Sequence, residues 1–165
     1  MLLALDVHYK EQTSKAIGVI FDWNDDKPVE TIVEYVNEIE AYIPGEFYKR
    51  ELPCLLQVIE KVNTESLEAI IIDGYVFVDN EGKFGLGGML WEALEKKVPI
   101  IGIAKTSFMT NKETVKEVFR GASKNPLFVS SIGCPLDDAA AKIGSMAGEY
   151  RMPTVLKELD RLTKQ

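Results

Sequence analysis

Two acids and a lysine interrupt or close apolar runs of the kind that become buried strands, and a third acid stands at the entrance to a helix. Asp6 breaks the run that begins at Leu2, Asp73 follows Ala69-Ile70-Ile71-Ile72, Lys105 follows Val98-Pro99-Ile100-Ile101-Gly102-Ile103-Ala104, and Glu51 immediately precedes Leu52-Pro53. Each has an ordinary explanation alone: a solvent-facing strand end for Asp6, an Asp-Gly turn for Asp73, an acid at a helix's positive dipole end for Glu51, a solvated lysine for Lys105. Their convergence raises another. In open α/β sheets the C-terminal strand ends form the usual site, so Asp6, Asp73 and Lys105 share one crevice if their strands are neighbours.

Carboxylates crowded into a crevice repel one another, and the usual remedies are a shared proton or a hard divalent cation. An all-oxygen site suits Mg²⁺ or Mn²⁺ better than Zn²⁺. Such a site activates a water, polarises a phosphate and steadies a leaving oxygen, the basis of metal-assisted phosphodiester hydrolysis. Lys105 would then orient the attacking water or hold a phosphate oxygen.

The elements that must position these residues follow from the hydropathy pattern. Leu2 to Tyr9, Lys15 to Trp23 and Val29 to Ile39 read as strands, and the short polar breaks between them suit hairpins, so the chain opens with an antiparallel meander. Leu52, Leu55, Leu56, Ile59 and Val62 then recur at helical spacing, with Pro53 placed in the helix's first turn. Ala69 to Ile72 is a strand with both faces covered. A glycine-rich turn, Gly82 to Gly88, leads into a helix from about Leu86 to Lys97, and Val98 to Ala104 is a second buried strand. Lys112 to Arg120 fits helix or strand, Leu127 to Ile132 a strand, Leu136 to Met146 and Pro153 to Lys164 helices.

This order predicts a ribonuclease H-like α/β fold: a mixed sheet that opens with a three-strand antiparallel meander and continues with helix-strand units, with helices on both faces. A doubly wound Rossmann-like sheet would need a helix between the first strands, and the sequence leaves no room for one.

The 165 residues, 46% apolar and 27% charged, suit a single domain over 1–165 with one sizeable core. A net charge of -7 argues against a protein that coats nucleic acid by bulk charge, yet a carboxylate site meets phosphate through cations and a few local Lys or Arg. Cys54 and Cys134 are too few for a disulfide scaffold and lack zinc-site spacing, so reduced thiols are expected. The apolar start has no basic leader, and no apolar run approaches a membrane span, so a soluble cytoplasmic protein is expected.

Ala41-Tyr42-Ile43-Pro44-Gly45, Tyr48-Lys49-Arg50-Glu51-Leu52-Pro53, Ile71-Ile72-Asp73-Gly74 and Val98 to Lys105, in this order, resemble the endonuclease V family over nearly the whole chain. The resemblance implies a Mg²⁺- or Mn²⁺-dependent endonuclease that hydrolyses DNA or RNA near deaminated, inosine-type bases. It would cut one phosphodiester beyond the lesion on its 3′ side, leaving 3′-hydroxyl and 5′-phosphate ends. Asp6, Glu51 and Asp73 match the family's metal acids and Lys105 its site lysine. Tyr150-Arg151-Met152-Pro153 resembles the Arg-x-Pro segment, and counting on from it puts Asp160 at a fourth ligand position, against a plain reading as a solvated helix acid.

The same resemblance makes Tyr42, Ile43, Pro44 and Gly45 the wedge beside the lesion, where an aromatic ring can stack on unpaired bases, against a plain Tyr-Pro-Gly turn. Lys49 and Arg50 would touch phosphates or remain solvated. Gly85, Gly87 and Gly88 match a helix start that approaches nucleic acid, or serve tight packing.

The chain departs from the family in three places. It begins almost at the first strand, where members usually carry a helical extension. Tyr75 to Lys83 holds no histidine where a Gly-x-x-His-Pro-Arg follows the Asp-Gly, and Ser131-Ile132-Gly133-Cys134 replaces a Pro-Gly-His. The single histidine, His8, is a strand residue beside Asp6. Catalysis is therefore better supported than inosine specificity. A related nuclease without that preference, or a non-catalytic nucleic-acid or partner-binding module, is the alternative.

Overall fold

Period-two alternation builds the sheet, and its two faces collect different helices. The computed structural model describes residues 1–11, 13–37, 48–107 and 110–165, with Tyr48 and Lys49 described by backbone alone. Strands β1 (Leu2–Lys10), β2 (Thr13–Phe21) and β3 (Glu30–Asn37) form the antiparallel meander. Then come α1 (Tyr48–Ile59), β4 (Ala69–Asp73), α2 (Leu86–Ala93), β5 (Ile100–Ala104), β6 (Lys116–Val118), β7 (Leu127–Ile132), α3 (Leu136–Ser145) and α4 (Thr154–Thr163). The seven strands lie in the order β3-β2-β1-β4-β5-β7-β6. The central β1, β4 and β5 run parallel, and β7 pairs antiparallel with both β5 and β6. This is the mixed sheet expected.

Leu3, Leu5, Ile70, Ile72 and Ile100 pack with Cys54, Leu55 and Val58 of α1 and with Leu86 and Leu90 of α2. Their neighbours Leu2, Ala4, Ala69, Ile71, Ile101 and Ile103 pack with Ala140 and Ile143 of α3 and with Val155, Leu156 and Leu159 of α4. Coverage on both faces is why β4 and β5 read as unbroken apolar runs.

Several boundaries differ from the sequence reading: β2 is Thr13–Phe21 against Lys15 to Trp23, β5 begins at Ile100 against Val98, and three further differences have a clear physical cause. Helix α1 starts at Tyr48, so Pro53 is its sixth residue and not in the first turn. Pro53 lies on the exposed side, where the missing N–H leaves only the Lys49 carbonyl without its helical donor. Helix α2 stops at Ala93 rather than Lys97, because Glu95 and Lys96 adopt φ of 58° and 62°. Lys96 N–H donates to the Trp91 carbonyl at 2.9 Å and Glu95 N–H to that of Glu92 at 3.0 Å, a Schellman closure made without glycine. The ambiguous stretch from Lys112 resolves into a 3₁₀ turn, Lys112–Thr114, followed by the short edge strand β6.

Candidate active site

Strand register assembles the site. Leu5 pairs with Ile72 across β1 and β4, so Asp6 and Asp73 take the next positions on neighbouring parallel strands. Asp73 pairs with Ile103, which places Lys105 just beyond the end of β5 on the other side. Alternation then orients them: Asp6 and Asp73 keep step with Ala4 and Ile71, on the face that α4 covers.

Helix α4 closes the crevice. Val155, Leu156 and Leu159 are buried against the sheet, and Asp160 follows Leu156 by one turn. Asp6, Asp73, Lys105, Lys157 and Asp160 line a cavity of about 220 Å³ floored by Ala4, Ile71, Ile103 and Leu159. Glu51 arrives from the opposite face of the sheet, in the first turn of α1. It lies outside that cavity lining, yet it is close enough to Asp73 and Asp6 to be repelled by both.

The electrostatics reflect this crowding. Burial first, and then the Asp73 charge, push the Asp6 carboxyl up to about 6. Burial, then Asp73 and Asp6, push Glu51 up to about 7. Burial also raises Asp73, with the Lys105 ammonium pulling the other way. Partial relief comes from hydrogen bonds: Val7 N–H donates to Asp6 Oδ1 at 3.0 Å, and the Thr163 hydroxyl lies 3.1 Å from Oδ2. Asp160 is partnered by Lys164, Nζ to Oδ2 3.0 Å.

Thr163 went unnoticed in the sequence, although a signal was there. It falls four residues after Leu159 on the buried stripe of α4, and a hydroxyl on such a stripe needs a polar partner. Tyr9 was missed too: the Arg50 guanidinium stacks 3.8 Å from its ring centroid, joining the first turn of α1 to β1.

The remaining candidates are placed differently. Tyr42, Ile43, Pro44 and Gly45 lie outside the described residues, as does the Lys49 side chain. Arg50 is half-buried on Tyr9 rather than freely solvated. Gly85, Gly87 and Gly88 are buried, and their N–H groups donate to the carbonyls of Val76, Tyr75 and Val76. A Cβ on Gly88 would meet Phe84 at 2.4 Å, so tight packing already accounts for these glycines. His8 is exposed on β1 opposite Lys15. Cys54 is buried, Cys134 half-buried, and both are free thiols.

The donor set fits a hard divalent cation: oxygen only, three carboxylates held above their ordinary pKa range, and a lysine at the rim. As placed, no three His, Cys, Asp or Glu among the described residues stand close enough to hold an ion. Among the same residues no helix is long and apolar enough to cross a membrane.

Sheet order, meander and carboxylate crevice define a ribonuclease H-like nuclease fold, and known proteins agree. The Endonuclease V family model matches residues 1–161. Endonuclease V of Pyrococcus horikoshii is 29% identical over 161 residues, 98% of this chain and 72% of that one. The crystal structure of Endonuclease V from Streptomyces avermitilis has a TM-score of 0.73 at 25% identity, covering 99% of this chain and 79% of that one. Ciona intestinalis Endonuclease V, solved with a 24mer DNA containing an inosine followed by a ribo-adenosine, shares the fold with a TM-score of 0.77 at 18% identity. There the coverage is 99% of this chain and 84% of that one.

The chain belongs to the endonuclease V family. It is a hydrolase of the metal-dependent endonuclease type.

Proposed function

We propose that this chain, one domain over 1–165 acting in the cytoplasm, hydrolyses a phosphodiester beside deaminated, inosine-type bases in DNA or RNA. The observation that carries the reading is the adjacency of Asp6 and Asp73, with Glu51 raised to about 7 by burial and by both of them. Asp6, Glu51 and Asp73, with Asp160 as a fourth, would hold Mg²⁺ or Mn²⁺. When bound, the ion lowers the pKa of a water, polarises the phosphate and steadies the leaving oxygen.

The chain's own groups do the rest. Lys105, at the cavity rim beside Asp73, holds a phosphate oxygen or orients the attacking water. The water gives up a proton as its oxygen bonds to phosphorus and the P–O3′ bond breaks, and the departing 3′ oxygen takes up a proton, so one water is consumed. The products are 3′-hydroxyl and 5′-phosphate ends, one phosphodiester beyond the lesion. Tyr42 to Gly45 would enter beside the lesion and hold the strand open.

One observation favours a broader nuclease. Where the family carries its first histidine motif, this chain has an apolar segment: Val76 is buried, Phe77 bridges to Phe84, and Asp79 accepts from Glu81 N–H and Lys83 N–H to close a turn. Cleavage of matched inosine-containing and plain strands, single and double, DNA and RNA, separates the readings. Preferential cutting beside inosine supports the first, and equal cutting of all strands supports the second.

A further inference from the structure

Two arginines outside the carboxylate cluster converge on the main chain that carries the site. Arg151, in the connection between α3 and α4, donates through Nη2 to the carbonyl of Lys105 at 2.5 Å. The same side chain donates to the Pro126 carbonyl through Nη2 at 2.5 Å and Nε at 3.0 Å. It thus ties the end of β5, where Lys105 leaves the sheet, to the start of β7 and to the residue before Met152, itself a wall of the cavity.

Arg120, 4% exposed just past β6, fixes the connection that presents Arg151. Its Nη1 donates to the carbonyls of Tyr150 at 2.9 Å and Arg151 at 3.3 Å, and its Nη2 to those of Met146 at 2.5 Å and Gly148 at 3.2 Å. Charge-assisted bonds to four carbonyls of one short segment leave it little freedom. Packing acts in the same sense, since a Cβ on Gly121 would lie 1.9 Å from the Glu149 carbonyl oxygen.

The lysine needs such support. Lys105 lies past the last paired residue of β5, so no ladder hydrogen bond fixes its main chain, and its flexible stem adds further freedom. A displacement of about 1 Å in a group that positions substrate can cost about 100-fold in rate. We propose that Arg151, held by Arg120, is a positioning residue that sets the main chain of Lys105 at the mouth of the site. This rests on the reading of Lys105 as a site residue.

The test is a double-mutant cycle under single-turnover conditions, with Lys105→Ala, Arg151→Ala, both together, and Arg151→Lys. Circular dichroism melts establish which variants are folded at the assay temperature. Arg151→Ala is expected to lower the cleavage rate roughly 10- to 100-fold with substrate Kd changed less than about 3-fold. In the Lys105→Ala background the same change is expected to cost less than about 3-fold. Arg151→Lys keeps one donor and is expected to recover part of the rate.

An equal loss in both backgrounds, or a loss confined to Kd, overturns the positioning role. If Arg151→Ala does not fold, Arg151→Lys takes its place in the cycle and the same comparison decides. Full activity of Lys105→Ala overturns the underlying reading of the lysine instead, so the two failures are distinct.

Discussion

Asp6 and Asp73 stand side by side on adjacent parallel strands, each one residue beyond the last β1–β4 pair, Leu5 with Ile72, and on the face beneath α4. Strand pairing and alternation, not loop conformation, bring the two charges together, so the repulsion between them is built into the sheet. Removing one charge should relieve the other. Asp73→Asn is expected to melt at or above the wild-type temperature in EDTA and to gain no stability from Mg²⁺ or Mn²⁺. Wild type is expected to gain roughly 2.7 kcal/mol at an ion concentration 100 times its Kd. Thermal melts with and without the ion check both halves.

The raised carboxyls fix a pH dependence. Asp6 at about 6 and Glu51 at about 7 hold protons more tightly than their ordinary values of 3.8 and 4.5. Between those limits the folded state binds more protons than the unfolded one, so stability falls as pH rises. Their contribution is complete below about pH 4 and lost as pH climbs through about 6 to 7. Metal-free wild type is therefore expected to lose more stability between pH 5 and pH 8 than Asp6→Asn does. Parallel pH profiles of the two proteins in denaturant titrations would contradict this.

Thr163 is 1% exposed, and its single hydroxyl proton lies within reach of Asp6 Oδ2 at 3.1 Å and the Asp160 carbonyl at 2.8 Å. Thr163→Val is expected to cost about 1 to 2 kcal/mol at pH 8, and less at pH 5 where Asp6 is protonated. Thr163→Ser should restore the loss. A Val variant as stable as wild type at both pH values would show that the hydroxyl does not support Asp6.

Gly121 combines φ of +57° with a Glu149 carbonyl oxygen 1.9 Å from where a Cβ would stand. Gly121→Ala is expected to destabilise by about 2 kcal/mol or more, through overpacking against backbone that cannot rotate away. Urea titration measures it directly.

Much of this architecture is legible in the sequence because local pattern and tertiary role coincide. Ala69 to Ile72 is apolar throughout because both its faces are covered, and the same burial makes the acid that follows it conspicuous. The meander is legible from its short polar breaks. The end of helix α2 is not, since its Schellman closure uses Glu95 and Lys96 where the usual sign is glycine. Nor are the arginine contacts: Arg151 reaches a carbonyl 46 positions away and Arg120 carbonyls 26 to 31 away, and side chain to main chain bonds across such separations leave no periodic trace. Asp160 is reached in the sequence only by counting on from Tyr150-Arg151-Met152-Pro153, and it lines the cavity because α4 lies across the sheet.

Asp6 and Asp73, with Glu51, are proposed to form a metal-dependent hydrolytic centre. The most direct measurement is cleavage of end-labelled inosine-containing DNA and RNA by wild type, Asp6→Asn and Asp73→Asn, each with Mg²⁺, Mn²⁺ or EDTA. Wild type is expected to cut only with a divalent ion, and either folded variant to lose on the order of 10³-fold or more. Undiminished cleavage by both variants, or cleavage by wild type in EDTA, would contradict the proposal.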